Sequence, residues 1–516
     1  VSAFHKSCKV TKCKKFAMPP WWTPELKASK REVCRLERRL KRFWSEERLA
    51  DFRKAKKDHN HLVRDVKGKG WQKLCTEIEK LDAVSRIQRV FKIGKKQEIG
   101  TVRKDDGEYT TNTEDTLKVL LDKHFPDKEI EDEREPRVYQ GNLTTNEIND
   151  IINIEAVRTA FKGFKPLKAP GLDGIYPILI QKAMDIIEND ILFIYRLCLK
   201  EGKSPIRWLE TKVAFIPKPG KQDYTDPGSL RPICLSPFFS KGFERVIFWF
   251  INDKHLRNNP CKNSFAYTES VSTDDAIHSL VSRIEGALER GEVAIVLFMD
   301  MSAAFSTANV DGMIDNLEET GVNGNILQWT DHMLRNRVIT ASLNGTQVQK
   351  KSSRGCPQGG ILSGPILWNG VMRDLIKRFR EIHGTHRAVF ADDIFNIGTG
   401  LSEFTVAKNI QRDVKVMEKW AGDHGLRFNV SKTKLMFFTT RRNYTKPDIF
   451  LYGEKIEYVS EMRYLGVLID DKLSWLPHIK KTAQKATFTM MQCRKMVGKS
   501  WGLKPKINHW LYATLV

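Results

Sequence analysis

Two aspartates stand side by side in an apolar run, Ala388-Val389-Phe390-Ala391-Asp392-Asp393-Ile394-Phe395. Carboxylates beside an apolar core are costly unless they are paired, hydrogen-bonded or metal-bound. A third, Asp300, ends another apolar run, Val293–Met299. Three carboxylates on two adjacent strands can hold two Mg²⁺ ions about 3.5–4 Å apart, which activate a hydroxyl nucleophile and stabilise a departing phosphate. Taken singly, each has a plainer reading: Asp392-Asp393 as a hairpin turn, and Asp300 as a turn or cap residue. Between them lies Arg354-Gly355-Cys356-Pro357-Gln358-Gly359-Gly360. Consecutive glycines let a ligand approach the backbone, and Gln358 can bond a base, a sugar or neighbouring main chain.

Strands and turns must hold these groups. Glu292 to Asp300 reads as a buried strand, and Arg387 to Asn396 as another with the Asp pair embedded. Val213–Pro217 and Leu230–Leu235 read as short strands, with a basic turn, Lys218-Pro219-Gly220-Lys221, after the first. A helix is expected from about Ser240, and another over 178–201. Thr144, Thr145 and Glu147 form a capping signature after Asn142. Residues 166–177 are a Pro/Gly-rich loop. Residues 94–114 suggest a two-stranded element turning at Asp106-Gly107, and 126–137 an acidic linker. Near the N-terminus, Thr23 caps a helix beginning at Pro24. Its stripe of Val33, Leu36, Leu40 and Phe43 predicts a basic amphipathic helix to about Asp58. Gly68 and Gly70 then interrupt it, and a second helical pattern covers Trp71 to Val90.

The whole chain sets the context. It has 516 residues and a net charge of +23, with 41% hydrophobic and 10% aromatic residues. That composition excludes wholesale disorder, and the length suggests about three domains. Residues 1–104 hold 30 Lys/Arg against 12 Asp/Glu, so the excess is concentrated there and points to a polyanionic partner. Nine cysteines without a C-x-x-C pair argue against a disulfide framework and a structural zinc, and for a reducing compartment. No apolar run is long enough to span a bilayer. The first residue, Val1, suggests a piece of a longer polyprotein.

The order of motifs resembles the reverse transcriptase region of a non-LTR (LINE-like) retrotransposon, over roughly Lys165 to Leu468. Leu297-Phe298-Met299-Asp300-Met301-Ser302-Ala303-Ala304-Phe305 resembles the first catalytic motif, Gly355-Cys356-Pro357-Gln358-Gly359 the second and Phe390-Ala391-Asp392-Asp393 the third. Trp420, Gly425-Leu426, Asn429 and Ser431-Lys432-Thr433-Lys434 resemble the fourth, and Tyr464-Leu465-Gly466 the primer grip. Lys168 to Gly174 and Arg231-Pro232-Ile233 match fingers signatures.

The resemblance implies an α+β right-hand polymerase: a basic helical extension (1–104), fingers (105–290), an antiparallel-sheet palm (291–470) and a partial thumb (471–516), without the endonuclease domain. It implies Asp300, Asp392 and Asp393 as ligands of two Mg²⁺, with Mn²⁺ as a substitute and Met301 adding a carbonyl. Lys218 and Arg231 would meet the triphosphate. Phe305 would exclude a ribose hydroxyl. Gln358 would face the nucleotide, Lys432 would donate a proton to pyrophosphate, and Tyr464, Leu465 and Gly466 would place the primer end. Partners would be RNA template, DNA primer or target and dNTPs, in nucleus or cytoplasm. Ser306 replaces a common Asp, and Gly360 a common Ser. These departures keep open a second reading, a decayed nucleic-acid-binding relic.

Overall fold

The computed structural model describes residues 21–78, 99–126, 137–221, 223–257, 261, 263–301, 304–381, 383–498 and 500–515. Two compact units divide the chain. One is Ile99–Trp475, and the other combines the preceding segment with Leu476–Val516. The architecture is mixed α+β.

In the larger unit, β1 (Glu210–Pro217) pairs antiparallel with β2 (Leu230–Leu235). The next strand, β3 (Val293–Met299), is buried at every residue. Two longer strands, β4 (Arg337–Leu343) and β5 (Thr346–Ser352), form a hairpin, and β4 joins β1 in parallel. The hairpin of β6 (Thr385–Phe390) and β7 (Asp393–Gly400) pairs with β3 through β7. On the other edge of β3 lies β8 (Lys434–Phe438). A small hairpin of β9 (Phe450–Leu451) and β10 (Glu454–Lys455) follows, then β11 (Glu457–Tyr458), parallel to β8. Last comes the hairpin of β12 (Glu461–Tyr464) and β13 (Val467–Asp470). The central sheet therefore runs β11-β8-β3-β7-β6, antiparallel except at its β11 edge.

The unbroken apolar run of β3 follows from burial on both faces. Val293, Ile295, Leu297 and Met299 enter the main core, which the helix Glu403–Asp423 covers with Val406, Ile410 and Val414. Ala294, Val296 and Phe298 face a second cluster with Tyr464, Ile469 and the Leu280 and Ile284 side chains of the helix Thr273–Glu289. The other sheet packs Val213, Cys234, Ile339 and Ala341 against Leu117 and Leu121 of the helix Thr113–His124.

Several expectations hold. Thr144 and Glu147 form a capping box before the helix Thr145–Ile151. Helices Pro177–Glu201 and Phe238–Ile251 lie where patterning places them. Three details differ. The Asp pair is not inside one strand: Phe390 pairs with Asp393, so Ala391-Asp392 turn between β6 and β7. Residues 99–114 form only a single bridge, Arg103 to Tyr109, around the Gly107 turn. And the N-terminal helix is not continuous to Asp58.

That helix, in the smaller unit, is Pro24–Arg42, capped by Thr23 as expected. A second begins at once, Glu46–Glu77, and runs through Gly68 and Gly70. Ser45 accepts from the Arg48 N–H at 3.2 Å, and Glu46 and Glu47 sit in the first turn. Side-chain capping and the helix dipole thus outweigh continuity at 43–45. Two interior glycines cost roughly 1 kcal/mol each, a penalty that packing offsets: Trp21 lies against Gly70, and Cys75 and Ile78 join Met496, Leu503, Ile507 and Leu511 in a small core. The pattern expected over Trp71 to Val90 is helical to Glu77, and its remainder, from 79, lies outside the described residues, as does 127–136 of the acidic stretch.

Candidate active site

At the end of β3 the chain leaves the sheet at Asp300. Met301 makes an antiparallel bridge with Phe428, and the Asp300 carbonyl accepts from the Asn429 N–H at 2.9 Å. Asn429 also organises the next turn. Its Oδ1 accepts from the Ser431 hydroxyl at 2.7 Å and the Lys432 N–H at 3.2 Å. The turn brings Lys432 Nζ to 2.8 Å from Asp300 Oδ2.

The second strand end comes from register. Met299 pairs with Ile394, so Asp300 and Asp393 lie one step beyond that pair, on the same face. Ala391, at φ 55°, turns the chain through a region that costs an alanine energy. The turn places Asp392 beside the other two carboxylates. Burial and then Asp300 raise the Asp392 pKa, against Arg231 and Lys218. Burial, Asp392 and Asp300 push Asp393 up to about 6. No ion pair to Asp392 or Asp393 occurs among the described residues.

Basic groups face these acids. Burial, followed by Lys432, Arg231 and Lys221, lowers the Lys218 pKa, while Asp300 opposes the fall. The Lys218 ammonium donates to the Gly228 carbonyl at 2.9 Å. The geometry therefore brings together Asp300, Asp392, Asp393, Lys218, Arg231 and Lys432. The carboxylates are not gathered into a closed ligand cluster: no three His, Cys, Asp or Glu side chains among the described residues form one, and Asp300 is engaged by Lys432. The donor set nonetheless fits a divalent cation, since the half-buried Asp392 and Asp393 lie together without an ion-pair partner among the described residues, and Asp392 disfavours ionisation of Asp393.

The glycine-rich loop is held on several sides. The Gly355 N–H donates to the Ala308 carbonyl and the Cys356 N–H to the Phe305 carbonyl, both at 2.7 Å. A Cβ on Gly355, at φ 66°, would lie 2.3 Å from the Phe305 oxygen, so only glycine fits. The Gln358 carbonyl accepts from the Cys234 N–H of β2 at 2.9 Å, which ties this loop to the strand bearing Arg231. Phe305 is half-buried, its ring 5.1 Å from that of Trp368.

Tyr464, Leu465 and Gly466 form the β12–β13 turn, with Leu465 at φ 44° and Gly466 at φ 92°. The Tyr464 ring lies 5.5 Å from Phe298 and 5.7 Å from Phe395, under the strand ends that carry the acids. Burial and then Asp393 raise its pKa.

Sequence reasoning passed over Glu244 and Arg337. Both are buried, and both bond the backbone of the glycine-rich loop. Each left a signal: an acid beside the apolar residues Phe243, Val246 and Ile247 of its helix, and an arginine opening the otherwise uncharged strand β4.

Residues 216–469 match the family described as reverse transcriptase (RNA-dependent DNA polymerase). A 115 kDa protein in a type-1 retrotransposable element of Drosophila melanogaster is 25% identical over 100% of this chain and 50% of its own length. A retrovirus-related Pol polyprotein from a type-1 retrotransposable element of Bradysia coprophila is 25% identical over 96% of this chain and 49% of its own. An RNA-directed DNA polymerase from the mobile element jockey of Drosophila melanogaster is 25% identical over 69% and 38%. The chain thus spans about half the length of the first two relatives.

Residues 216–469 of the chain are a reverse transcriptase domain of the kind carried by these retrotransposable elements.

Proposed function

We propose that this reverse transcriptase domain makes DNA on an RNA template, adding dNTPs to a primer 3′-hydroxyl. The observation that carries this reading is the convergence of Asp300, Asp392 and Asp393 with Lys218, Arg231 and Lys432 at the end of β3 and the β6–β7 turn. Asp300, Asp392 and Asp393, with the Met301 carbonyl, would hold two Mg²⁺, or Mn²⁺ in their place. Such cations make the 3′-hydroxyl more acidic and neutralise charge on the leaving pyrophosphate.

The chain's own residues do the rest. Lys218, just past the end of β1, and Arg231 of β2 would bind the triphosphate, where fixed positive charge favours the more highly charged transition state. Lys432, whose ammonium lies 2.8 Å from Asp300 Oδ2, would donate its proton to pyrophosphate. Phe305 stands against the sugar 2′-carbon. Gln358 faces the nucleotide and template. Tyr464, Leu465 and Gly466 hold the primer end under the catalytic strands.

In this reading residues 105–290 are fingers, 291–470 palm and 471–516 a partial thumb, and 1–104 bind template or target. The primer is nicked chromosomal DNA, as in target-primed reverse transcription, with the nick made by an endonuclease. The product is needed in the nucleus, and the template is met there or in the cytoplasm. Ser306 and Gly360 favour the second reading, a relic that binds RNA without polymerising.

Primer extension on poly(rA)–oligo(dT) with Mg²⁺ and dTTP separates them. Extension by the native chain and not by Asp392→Ala supports the polymerase and its site. Equal extension by both defeats the site assignment. Salt-sensitive RNA binding without extension by either favours the relic.

A further inference from the structure

A charge buried in an apolar helix is expensive, and replacing such a group by a hydrophobic residue is often neutral or stabilising. Glu244 is such a charge. It lies in the helix Phe238–Ile251, is 2% exposed, and is flanked by the fully buried Phe243 and Ile247. Its Oε2 accepts from the Ile361 N–H at 2.7 Å and the Leu362 N–H at 3.4 Å. Burial raises its pKa, while these two amides and Lys241 favour the ionised form. The carboxylate thus ends on the exit of the glycine-rich loop.

The entry of the loop has the opposite charge. Arg337 is 3% exposed and donates to the carbonyls of Leu334, Arg354 and Gly355, at 2.9 Å for Leu334 and 2.7 Å for Gly355. A carboxyl oxygen on amides at one end and a guanidinium on carbonyls at the other fix both backbone polarities. Between them, Gly359 and Gly360 are confined too. A Cβ on Gly359 would lie 2.9 Å from the Cys234 carbonyl oxygen, and one on Gly360 would meet Ser363 Oγ at 2.5 Å and Glu244 Oε2 at 3.3 Å. The only part of the loop between the two anchors with a long polar side chain is Gln358.

We infer that Glu244 is a positioning residue for nucleotide binding, acting with Arg337 as a two-ended clamp that sets the loop carrying Gln358. The inference rests on the polymerase reading, in which Gln358 faces the incoming nucleotide. Glu244 touches neither substrate nor cation. Loosening its end of the clamp should raise KM for the nucleotide while leaving primer–template affinity alone.

The test uses the full chain with E244L, E244Q and E244D. Two readouts are taken: steady-state dTTP incorporation on poly(rA)–oligo(dT), and amide exchange over 356–364. E244L and E244D should raise KM for dTTP about tenfold or more, with kcat falling less, unchanged duplex Kd and faster exchange at Ile361 and Leu362. E244Q keeps a carbonyl acceptor of the same reach and should stay within about threefold of the native KM. E244D, one methylene short of the amides, serves if E244L does not fold. Unchanged KM and exchange in a folded E244L or E244D would overturn the inference. A native chain that incorporates no dTTP would sink the polymerase reading, and the exchange data would still decide whether Glu244 holds the loop.

Discussion

In the proposed reading single residues of the acidic centre would carry the chemistry, and Asp393 shows how its environment is set. Its pKa, raised to about 6 by burial and by Asp392 and Asp300, has a definite consequence for stability. A raised folded-state pKa means that its contribution is fully present below the ordinary aspartate value, near 4, and is lost as pH rises through about 6. Without divalent cations the protein should therefore lose on the order of 2 kcal/mol between pH 4 and pH 7 from this group. Asp393→Asn should flatten that part of the profile in urea melts with EDTA. Mg²⁺ at pH 7 should raise the melting temperature of the native chain and not of the variant. A profile unaltered by the substitution would contradict the placement of Asp393 among like charges. Phe305 makes a separate claim. Its half-buried ring leans on Trp368, so Phe305→Ala should open room for a 2′-hydroxyl and raise rATP or rUTP use relative to the matching dNTP by about tenfold or more, an effect expected from differential fit. Sugar selectivity that does not move would return Phe305 to a packing role.

At the scale of elements, the β6–β7 hairpin depends on a helix behind it. Arg387 of β6 makes a two-pronged pair with Asp413 of the helix Glu403–Asp423, at 2.8 and 2.9 Å, and Asn396 of β7 donates to the same carboxylate at 2.9 Å. Both partners of the ion pair are buried. Asp413→Ala would strand Arg387 and remove a hydrogen bond from Asn396, costing about 3–5 kcal/mol, read as a fall in thermal midpoint. The loss should be smaller when Arg387 is removed as well, because the stranded charge is then gone; equal losses would show that the pair is not the cause. Asp413 was not among the residues that sequence reasoning marked. A lone Asp in a helical pattern looks like solvated surface, and only packing of that helix across β7 buries it.

The whole molecule is basic, and its N-terminal helices show where that charge lies. Arg31, Arg38, Arg39 and Arg42 are exposed on the helix Pro24–Arg42. RNA affinity should fall linearly on a log–log plot against salt, with about 0.7 of slope for each single-strand phosphate neutralised. Replacing Arg38, Arg39 and Arg42 by Gln should lower that slope by roughly 2 if all three meet phosphates; an unaltered slope would remove this face from the binding surface. Sequence alone marked the apolar strand β3, the capped helices and the three aspartates, because apolar runs, caps and charges in apolar settings are local patterns, while the mixed α+β class followed from the family resemblance. The break at Ser45 was legible in its capping signature, though the glycines drew attention further along. Tertiary structure decided what local patterns cannot hold. The β3–β7 register set Asp300 across from Asp393, and the Met301–Phe428 bridge brought Lys432 onto Asp300 from 132 residues away. The buried charges of Glu244 and Arg337 acquired loop partners only when distant segments packed together, since the energy of a buried charge depends on which groups surround it and not on its neighbours in the chain.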